Sequence, residues 1–465
     1  MLGLLTFAFT SILCQLSGQI INVRALPRTT ISLSPQDEYT LSNPDELEDL
    51  SQISFHITSS HPNPPLRINT HIDLPTTSPS HSSIPITLKA RPQTIWRPTS
   101  AFDYQKARLR SLREGESESI EWEQVEILGP DIEDKHTIGQ LARMTGNAYA
   151  LPGQKNWYDV DLGWNNSFPF GWEDAADGFR GHVFLSPDNT TVVLSIKGTT
   201  LQGPTSKKDK FNDNLLFSCC CARVDISWIF HTVCDCFVKG WRCDDPCLSK
   251  ALVEDSLFYN VGVNLINNLT DLYPNSNIWL VGHSLGGSLA SLLGTTFGLP
   301  AVAFEAPGER LAAERLHLPL PPASPQSPSL PYKPYHGSAP VVHIYHNADP
   351  IPQGTCTGIG SPCTSAGFAL EARCHLGRSI VYDTVGKLGW KVDVRKHVIR
   401  DVIMKVVEVD LEGGWDEDEE GNVRDVPMAW VEEDCVDCFK WEFGDFKDKD
   451  GLSNSNSNSN YSPGL

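Results

Sequence analysis

The chain has 465 residues, 40% of them hydrophobic and 20% charged, a balance typical of a globular protein with one large domain and extensions. The formal net charge of −20 argues against a nucleic-acid partner, because neutralising phosphates requires clustered lysine and arginine. The same charge opposes steering to an anionic membrane at neutral pH, so contact with lipid needs an apolar surface or a local basic patch.

The N-terminal segment, residues 1–23, carries no charged side chain. The run from Met1 to Cys14 is almost entirely apolar and has the length of a cleaved secretory signal peptide. The uncharged stretch up to Val23 is also just long enough to span a bilayer as a signal anchor. The residues leave both interpretations open, and a buried core helix is a third alternative. The first two predict that the rest of the chain lies in a lumenal or extracellular compartment.

The cysteines indicate the same compartment. One of the 13 lies within residues 1–23, and the other twelve are Cys219, Cys220, Cys221, Cys234, Cys236, Cys243, Cys247, Cys356, Cys363, Cys374, Cys435 and Cys438. An even set after such a leader predicts disulfides, whose pairing the sequence does not give. The alternative is a zinc site at Cys435 and Cys438 or at Cys243 and Cys247. It is weaker because no second CxxC or histidine pair stands at zinc-ribbon spacing.

Composition divides the chain into three parts after the leader. Residues 24–118 are rich in proline, serine, threonine and histidine, which predicts an extended lumenal stem with short strands at best. Residues 119–410 have regular periodicity and form the predicted catalytic domain. Residues 411–465 are acidic and end in a serine-asparagine repeat, which predicts a partly disordered tail. Four sequons permit N-glycans on lumenal loops, at Asn165, Asn189, Asn268 and Asn460.

The predicted domain begins with a helix and a β-hairpin. Apolar residues at helical spacing predict the helix over residues 134–149. Two apolar runs, 182–185 and 192–196, flank a turn and predict the hairpin. A cysteine-rich insertion, residues 201–247, follows. It holds an apolar group that is either a lid or membrane-docking surface or a core braced by disulfides: Trp228, Ile229, Phe230, Phe237 and Trp241.

The second half of the domain alternates helices with strands. A long amphipathic helix is predicted over residues 250–273, and apolar strands over 278–281, 301–304 and 341–346. The proline-rich stretch 318–334 is typical of an inserted loop. Strands that alternate with helices predict an α/β fold with a mostly parallel sheet covered on both faces.

The most informative motif is Gly282-His283-Ser284-Leu285-Gly286-Gly287, which lies between an apolar strand and a helix rich in small residues. In an α/β-hydrolase this strand–turn–helix places a serine hydroxyl on a sharp elbow above the sheet. Glycines flank the serine because the strained turn leaves no room for side chains. The context predicts that Ser284 is a nucleophile, and the alternative is an accidental glycine-rich turn.

A serine nucleophile requires a base and an acid that orients the base, in the chain order Ser, Asp or Glu, His. Asp349 follows the strand 341–346, and His397 lies further along the chain, so we predict that they are the acid and the base. Asp349 could instead be a turn former, and His397 a surface or cap residue. The rivals are Glu305 as acid and, as bases, His343, His346 and His375.

The developing oxyanion needs two preorganised N–H groups. One is predicted from Leu285, the residue after the nucleophile. The other is predicted from Thr199, in the turn Lys197-Gly198-Thr199-Thr200 after an early strand. A plain strand-ending turn is the alternative for this second segment.

Four segments together resemble a class 3, fungal-type lipase: residues 194–200, 282–287, 346–352 and 393–397. The cysteine-rich insertion and the uncharged leader narrow the resemblance to the fungal autophagy-related lipases that break down autophagic bodies inside the vacuole. The resemblance covers about residues 119–410. It implies an α/β-hydrolase fold, a Ser284–Asp349–His397 triad, and no cofactor or metal.

The same resemblance implies a single-pass type II membrane protein delivered through multivesicular bodies to the vacuole. Its substrates would be membrane phospholipids or neutral glycerolipids. Two other functions remain open from the residues. One is a secreted soluble esterase acting on feruloyl esters or triacylglycerols, and the other is a catalytically silent lipid-binding protein. For an enzyme, we expect activity to fall on the acid side, because the base must be neutral and an unperturbed histidine titrates near ~6.5.

Overall fold

A computed structural model describes residues 87–114, 120–172, 178–222, 233–255, 257–323, 335–358 and 360–446. The predicted leader, Trp228, Ile229, Phe230 and Asn460 lie outside these residues. The strands are β1 (Ala90–Pro98), β2 (Trp122–Pro130), β3 (Asn166–Phe170), β4 (Gly181–Leu185), β5 (Thr191–Ile196), β6 (Arg242–Asp244), β7 (Asn277–His283), β8 (Ala301–Phe304), β9 (Val341–His346), β10 (Arg378–Tyr382), β11 (Asp416–Glu417), β12 (Val423–Arg424) and β13 (Glu442–Gly444).

The α-helices are α1 (Ala101–Glu114), α2 (Lys135–Asn147), α3 (Ser206–Phe217), α4 (Asp245–Asp255), α5 (Leu257–Leu272), α6 (Leu285–Phe297), α7 (Arg310–Arg315), α8 (Pro362–Ser365), α9 (Thr384–Leu388) and α10 (Ile399–Val402). A π-turn, Ile403–Val407, continues α10. The single helix predicted over residues 250–273 is described instead as the two helices α4 and α5.

The central sheet has seven strands in the order β10-β9-β8-β7-β5-β4-β3. The strands β5, β7, β8, β9 and β10 run parallel, and β4 and β3 are antiparallel additions at one edge. The predicted hairpin is thus confirmed as β4 and β5. The sheet confirms the α/β-hydrolase class with a mixed, mostly parallel sheet, and the carboxyl ends of the parallel strands share one edge.

The sheet separates two hydrophobic clusters because consecutive strand residues face opposite sides. Leu194 and Leu280 contribute to one cluster, with Leu289 of α6 and Ile266 of α5. Val193 and Trp279 contribute to the other, where α2 and α10 cover the sheet. The strands between the two helical layers are therefore buried on both faces, as expected for a parallel sheet.

The folded domain begins earlier than the predicted boundary at residue 119. β1 pairs antiparallel with β2 over its whole length, from Ala90 opposite Pro130 to Pro98 opposite Trp122. The Trp279 indole donates a hydrogen bond to the Leu128 carbonyl, which ties this ribbon to β7. Residues 87–114 therefore belong to the folded domain and not to the stem. The composition of this segment did not predict this, because its pairing partner β2 lies further along the chain.

The folded domain also extends beyond the predicted end at residue 410. Trp430 and Ser379 exchange backbone hydrogen bonds at the free edge of β10. Further along, β13 pairs parallel with β6. Disulfides join Cys374 to Cys435 and Cys219 to Cys438. The C-terminal segment, residues 411–446, is therefore folded onto the domain, whereas its acidic composition predicted a tail.

All twelve cysteines after the leader form disulfides, which confirms that prediction. Besides the two above, the pairs are Cys220–Cys243, Cys221–Cys234, Cys236–Cys247 and Cys356–Cys363. The zinc alternative is wrong both at Cys435 and Cys438 and at Cys243 and Cys247, because each of these four sulfurs is bonded to a different cysteine.

The aromatic residues of the insertion that the structure describes are packed inward. The rings of Phe237 and Trp241 both meet Trp441 edge to face, with centroids 6.2 Å and 5.2 Å apart. Both side chains also pack against the cluster that contains the disulfides. For these two residues the core alternative applies rather than a lid. Among the described helices, none combines the length and the apolar character that a membrane crossing requires.

A buried ion pair holds the C-terminal segment to the sheet. His375 Nδ1 lies 2.9 Å from Glu432 Oε1, which also accepts from the Ser379 hydroxyl at 2.7 Å. Burial alone would lower the pKa of His375, but the Glu432 carboxylate outweighs it and raises the pKa to about 9. The same pairing overcomes burial at Glu432 and lowers its pKa. The histidine's contribution to stability is therefore complete below pH ~6.5 and lost as the pH rises through about 9.

We expect His375→Gln to lower the free energy of unfolding by about 3–5 kcal/mol at pH 6, because it leaves Glu432 buried without a cation. The difference from the wild type should shrink at pH 9, where His375 loses its proton in the wild type as well. Denaturant titrations with the disulfides intact measure this. The control is His136→Gln, whose more exposed pair with Asp161 is worth under about 1 kcal/mol. A loss that is equal at both pH values would contradict the assignment.

Candidate active site

The strand β7 ends in a strained turn that presents Ser284. Ser284 lies between the last residue of β7 and the first residue of α6, and its backbone has φ 57° and ψ −130°. The Ser284 N–H donates to the Phe304 carbonyl at 3.0 Å. A Cβ on Gly282 would lie 2.2 Å from the Gly286 carbonyl oxygen, and one on Gly286 2.2 Å from that of Ile196. Only glycine fits these two positions, so the motif is a steric requirement of the turn.

Three side chains from distant parts of the chain meet at this turn. His397 Nε2 lies 2.9 Å from Ser284 Oγ, and His397 Nδ1 lies 2.6 Å from Asp349 Oδ2. Because the carboxylate can only accept, Nδ1 carries the proton and Nε2 presents its lone pair to the hydroxyl. This is the tautomer in which the imidazole can remove the serine proton.

Asp349 lies in the turn after β9 and is fully buried. Its other oxygen, Oδ1, accepts from the Ile351 N–H at 3.0 Å. Burial alone would raise the pKa of this carboxyl, but the attraction of His397 and these hydrogen bonds hold it below its ordinary value. His397 ends a short 3₁₀ turn, which the Asp393 N–H fixes by donating to the Ala348 carbonyl at 3.0 Å.

The turn at Thr199 lies beside the serine. A Cβ on Gly198 would lie 3.1 Å from Ser284 Cβ, so the backbone of this turn passes close to Ser284. The Thr199 hydroxyl donates to Asp213 Oδ2 at 2.5 Å. Among the described residues, no acceptor is paired with the backbone N–H of Thr199 or of Leu285. Both N–H groups are thus available to a ligand oxygen.

A buried ion pair fixes the shape of that turn. Lys197 Nζ lies 2.8 Å from Asp209 Oδ2, and the same oxygen accepts from the Thr200 N–H at 2.9 Å. Burial lowers the pKa of Lys197. Burial also raises the pKa of Asp213 to about 8. Asp209 and Asp213 were not predicted as site residues. Their one signal in the sequence is a spacing of one helical turn on α3, directly after the predicted oxyanion segment.

A family model described as lipase (class 3) matches residues 193–357. A protein named "Putative lipase ATG15" from Cryptococcus neoformans var. neoformans serotype D (strain B-3501A) is 47% identical over 385 residues, covering 70% of this chain and 71% of that protein. The chain belongs to the ATG15 family of class 3 lipases. The Saccharomyces cerevisiae (strain ATCC 204508 / S288c) relative of the same name is 45% identical over 338 residues, covering 70% of this chain and 60% of the relative.

Among solved structures, the Lip2 lipase from Yarrowia lipolytica is 18% identical, with a TM-score of 0.30, and the match covers 54% of this chain and 80% of that one. Because the chain belongs to this family, it is a hydrolase that acts on esters.

A further hydrogen-bond chain in this lipase links the three segments of the site. The Gly198 N–H donates to the Tyr149 hydroxyl at 3.1 Å, and that hydroxyl lies 2.8 Å from His283 Nδ1. His283 Nε2 in turn donates to the His397 carbonyl at 2.8 Å. Burial and the neighbouring His397 lower the pKa of His283 to about 3. His283 is therefore neutral in this arrangement, and the chain persists in mildly acidic surroundings. No role was predicted from the sequence for Tyr149 or for His283.

The rival histidines of this lipase have other partners. His343 Nε2 lies 3.0 Å from Glu309 Oε1, and His375 is paired with Glu432. His346 Nε2 donates to the Lys396 carbonyl at 3.2 Å. This hydrogen bond holds the 3₁₀ turn that ends at His397. The hydroxyl of Ser284 is within hydrogen-bond distance of His397 and not of these three. Three predicted sequon asparagines, Asn165, Asn189 and Asn268, are exposed, and Asn268 lies on α5 rather than on the predicted loop.

Proposed function

We propose that this lipase hydrolyses ester bonds of membrane glycerolipids through Ser284, His397 and Asp349. Ser284 Oγ attacks the ester carbonyl while His397 Nε2 takes its proton. The C–O bond of the tetrahedral intermediate then breaks, and the Nε2 proton passes to the departing alkoxide. Water, activated in the same way by His397, releases the fatty acid and restores Ser284. The single observation that carries the proposal is the continuous hydrogen-bonded line from Ser284 Oγ through His397 to Asp349.

The Leu285 and Thr199 N–H groups are proposed to bind the oxyanion. Leu285 is the first residue of α6, and the turn that carries Thr199 is held by the Lys197–Asp209 ion pair. Preorganised donors of this kind stabilise the charge that develops in the transition state without reorganising during the reaction.

A bilayer substrate is supported by exposed apolar side chains that lie close along the chain to Thr199 and to His397. Leu201 is 72% exposed and lies two residues beyond Thr199, while Val392 is 58% exposed in the segment that carries His397. This segment, residues 387–400, holds five Lys or Arg residues against one acid in a chain of net charge −20. An apolar edge with a local basic stretch is what contact with a lipid surface requires in so acidic a protein.

We expect the double variant Leu201→Ser, Val392→Ser to lower the initial rate on phospholipid vesicles about tenfold or more and to change the rate on a short soluble ester by less than twofold. The physical reason is the loss of apolar area that the lipid surface would bury. The matched control is Val436→Ser, Phe439→Ser, whose side chains are 56% and 73% exposed in the C-terminal segment. Equal losses on vesicle and soluble ester would contradict a docking role for Leu201 and Val392.

The cellular setting is also a proposal. We propose that this lipase acts in the endosomal and vacuolar lumen, anchored through residues 1–23, where it would break down autophagic bodies and multivesicular-body vesicles. Support comes from the name that the relatives carry, the uncharged leader and the six disulfides of the described domain.

The experiment that tests the function uses the full chain with phospholipid and triacylglycerol vesicles at pH 5 and pH 7, and identifies the lipid products. Release of fatty acid from both lipid classes is expected, and none from the Ser284→Ala variant. A protein that binds vesicles but releases no fatty acid would instead be a lipid-binding module. Hydrolysis of soluble esters without hydrolysis of vesicle lipids would instead support a secreted esterase.

A further inference from the structure

Glu305 is a buried carboxyl in a strained position behind the triad. It follows β8 directly, and its φ of 44° lies in the left-handed region that favours glycine. Its side chain is fully buried. Such a backbone conformation is unfavourable for a residue with a side chain, and it persists where the surroundings enforce it. A glycine would relieve the strain, so the carboxyl itself is the feature that calls for an explanation.

The partners of Glu305 are the Asp349 carboxylate and the backbone of β9. Its carboxyl is hydrogen-bonded to Asp349. The His346 N–H lies 3.1 Å from Glu305 Oε1 and 3.4 Å from Oε2.

The other titratable groups around this carboxyl pair do not supply a compensating cation. Burial lowers the pKa of His283 and that of His346, whose Nε2 lies 3.8 Å from Glu305 Oε1, so both imidazoles are neutral at neutral pH. The Lys396 carbonyl accepts from His346 Nε2, and the Lys396 ammonium lies 3.9 Å from the centre of the Trp390 ring. Two adjacent buried carboxylates cannot both be ionised under these conditions. Burial and the Asp349 charge raise the pKa of Glu305 well above its ordinary value, so Glu305 is the partner that keeps the proton.

We propose that Glu305 is a positioning residue whose protonated carboxyl donates a hydrogen bond to Asp349 and holds it ionised and oriented toward His397. The inference rests on the proposed function, in which Asp349 orients the base. It adds a fourth member behind the triad, in the order Glu305, Asp349, His397, Ser284.

The donated hydrogen bond makes proton uptake by the Asp349–His397 pair less favourable. It spreads the negative charge of Asp349 over a second group, so less of that charge stabilises a protonated imidazole, and it opposes protonation of Asp349 itself. Both effects move the acid limb of the activity profile to lower pH. Glu305 would thereby let the triad work in a more acidic lumen than the same triad without it.

The test compares two variants of the same side-chain length on a short soluble ester. Glu305→Gln keeps an N–H donor for Asp349 and an acceptor for His346, whereas Glu305→Met keeps neither. We expect the midpoint of the acid limb of kcat/KM to move up by about one pH unit in Glu305→Met and to stay in place in Glu305→Gln. A uniform loss of kcat/KM without a change of midpoint, or equal shifts in both variants, would overturn the proposal.

A second measurement does not depend on activity or on the stability of the methionine variant. The infrared difference spectrum of wild type minus Glu305→Gln at neutral pH should contain the carbonyl band of a protonated carboxylic acid. Its absence would overturn the proposal. If the proposed function itself failed, Ser284→Ala would keep full activity while this band remained. If only the role of Glu305 failed, Ser284→Ala would be inactive and the band or the shift would be missing.

Discussion

Replacing Ser284 with alanine is expected to lower kcat for ester hydrolysis by about 10⁵-fold with little change in KM. The variant removes the nucleophile and leaves the site otherwise in place, because the Ser284 hydroxyl is bonded only to His397 among the described residues. The positive φ at this position persists, so the alanine carries the same strain as the serine. Steady-state rates on a soluble ester and on vesicles measure the effect.

The control is Ser288→Ala, one helical turn further along α6. Its hydroxyl donates to the Pro307 carbonyl at 2.7 Å and is fully buried. We expect a loss of about 1 kcal/mol in stability and less than a threefold change in kcat. Residual activity of Ser284→Ala above about 1% of the wild type would contradict a covalent mechanism at Ser284.

Asp349→Asn is expected to lower kcat by about 10⁴-fold while the fold is retained. The amide of asparagine can donate to His397 Nδ1, which would place the ring proton on Nε2, opposite the Ser284 hydroxyl. That tautomer cannot take the serine proton. Glu305 lies directly behind and would lose the carboxylate to which it donates. Rates at several pH values, with a thermal unfolding curve for each variant, measure the effect.

Asp393→Asn is the matched control for a carboxylate near His397. The Asp393 carboxylate is bonded to Arg395 on the surface and does not contact the imidazole ring. We expect its kcat to stay within about threefold of the wild type. An Asp349→Asn variant that kept a tenth of the activity, beside an inactive Glu305→Gln, would show instead that Glu305 is the acid.

Most of the sheet could be predicted from the sequence because its strands are buried on both faces. Residues 301–304 are a continuous apolar run, residues 341–346 are an apolar run interrupted by two buried histidines, and the structure has strands with these bounds. The approach of Ser284, Asp349 and His397 follows from the same pattern. Each lies after the carboxyl end of a parallel strand or on a loop that returns to that edge, so their order along the chain predicts the meeting point.

The domain boundaries could not be predicted because the outer segments are stabilised by distant partners. β1 carries proline, glutamine and arginine and is largely exposed, so it has no apolar run of its own. Its stability comes from the antiparallel pairing with β2. Residues 411–446 are held by two disulfides and by Glu432, and local composition does not record such contacts.

The supporting residues of the site were missed for a related reason. Tyr149 and Glu305 act through contacts with segments far along the chain, whereas Asp213 contacts Thr199, 14 residues before it. Glu305 was weighed only as an alternative acid. The backbone strain at Glu305 and its contact with Asp349 are visible only once β8 and β9 are placed side by side.

The most direct test of the central claim is labelling of the full-length protein with a fluorophosphonate probe, followed by mass spectrometry of the peptides. The arrangement of Ser284, His397 and Asp349 predicts one adduct on Ser284, no adduct in Ser284→Ala, and much slower labelling in His397→Ala. An adduct on a different residue, or wild-type labelling of His397→Ala, would contradict it.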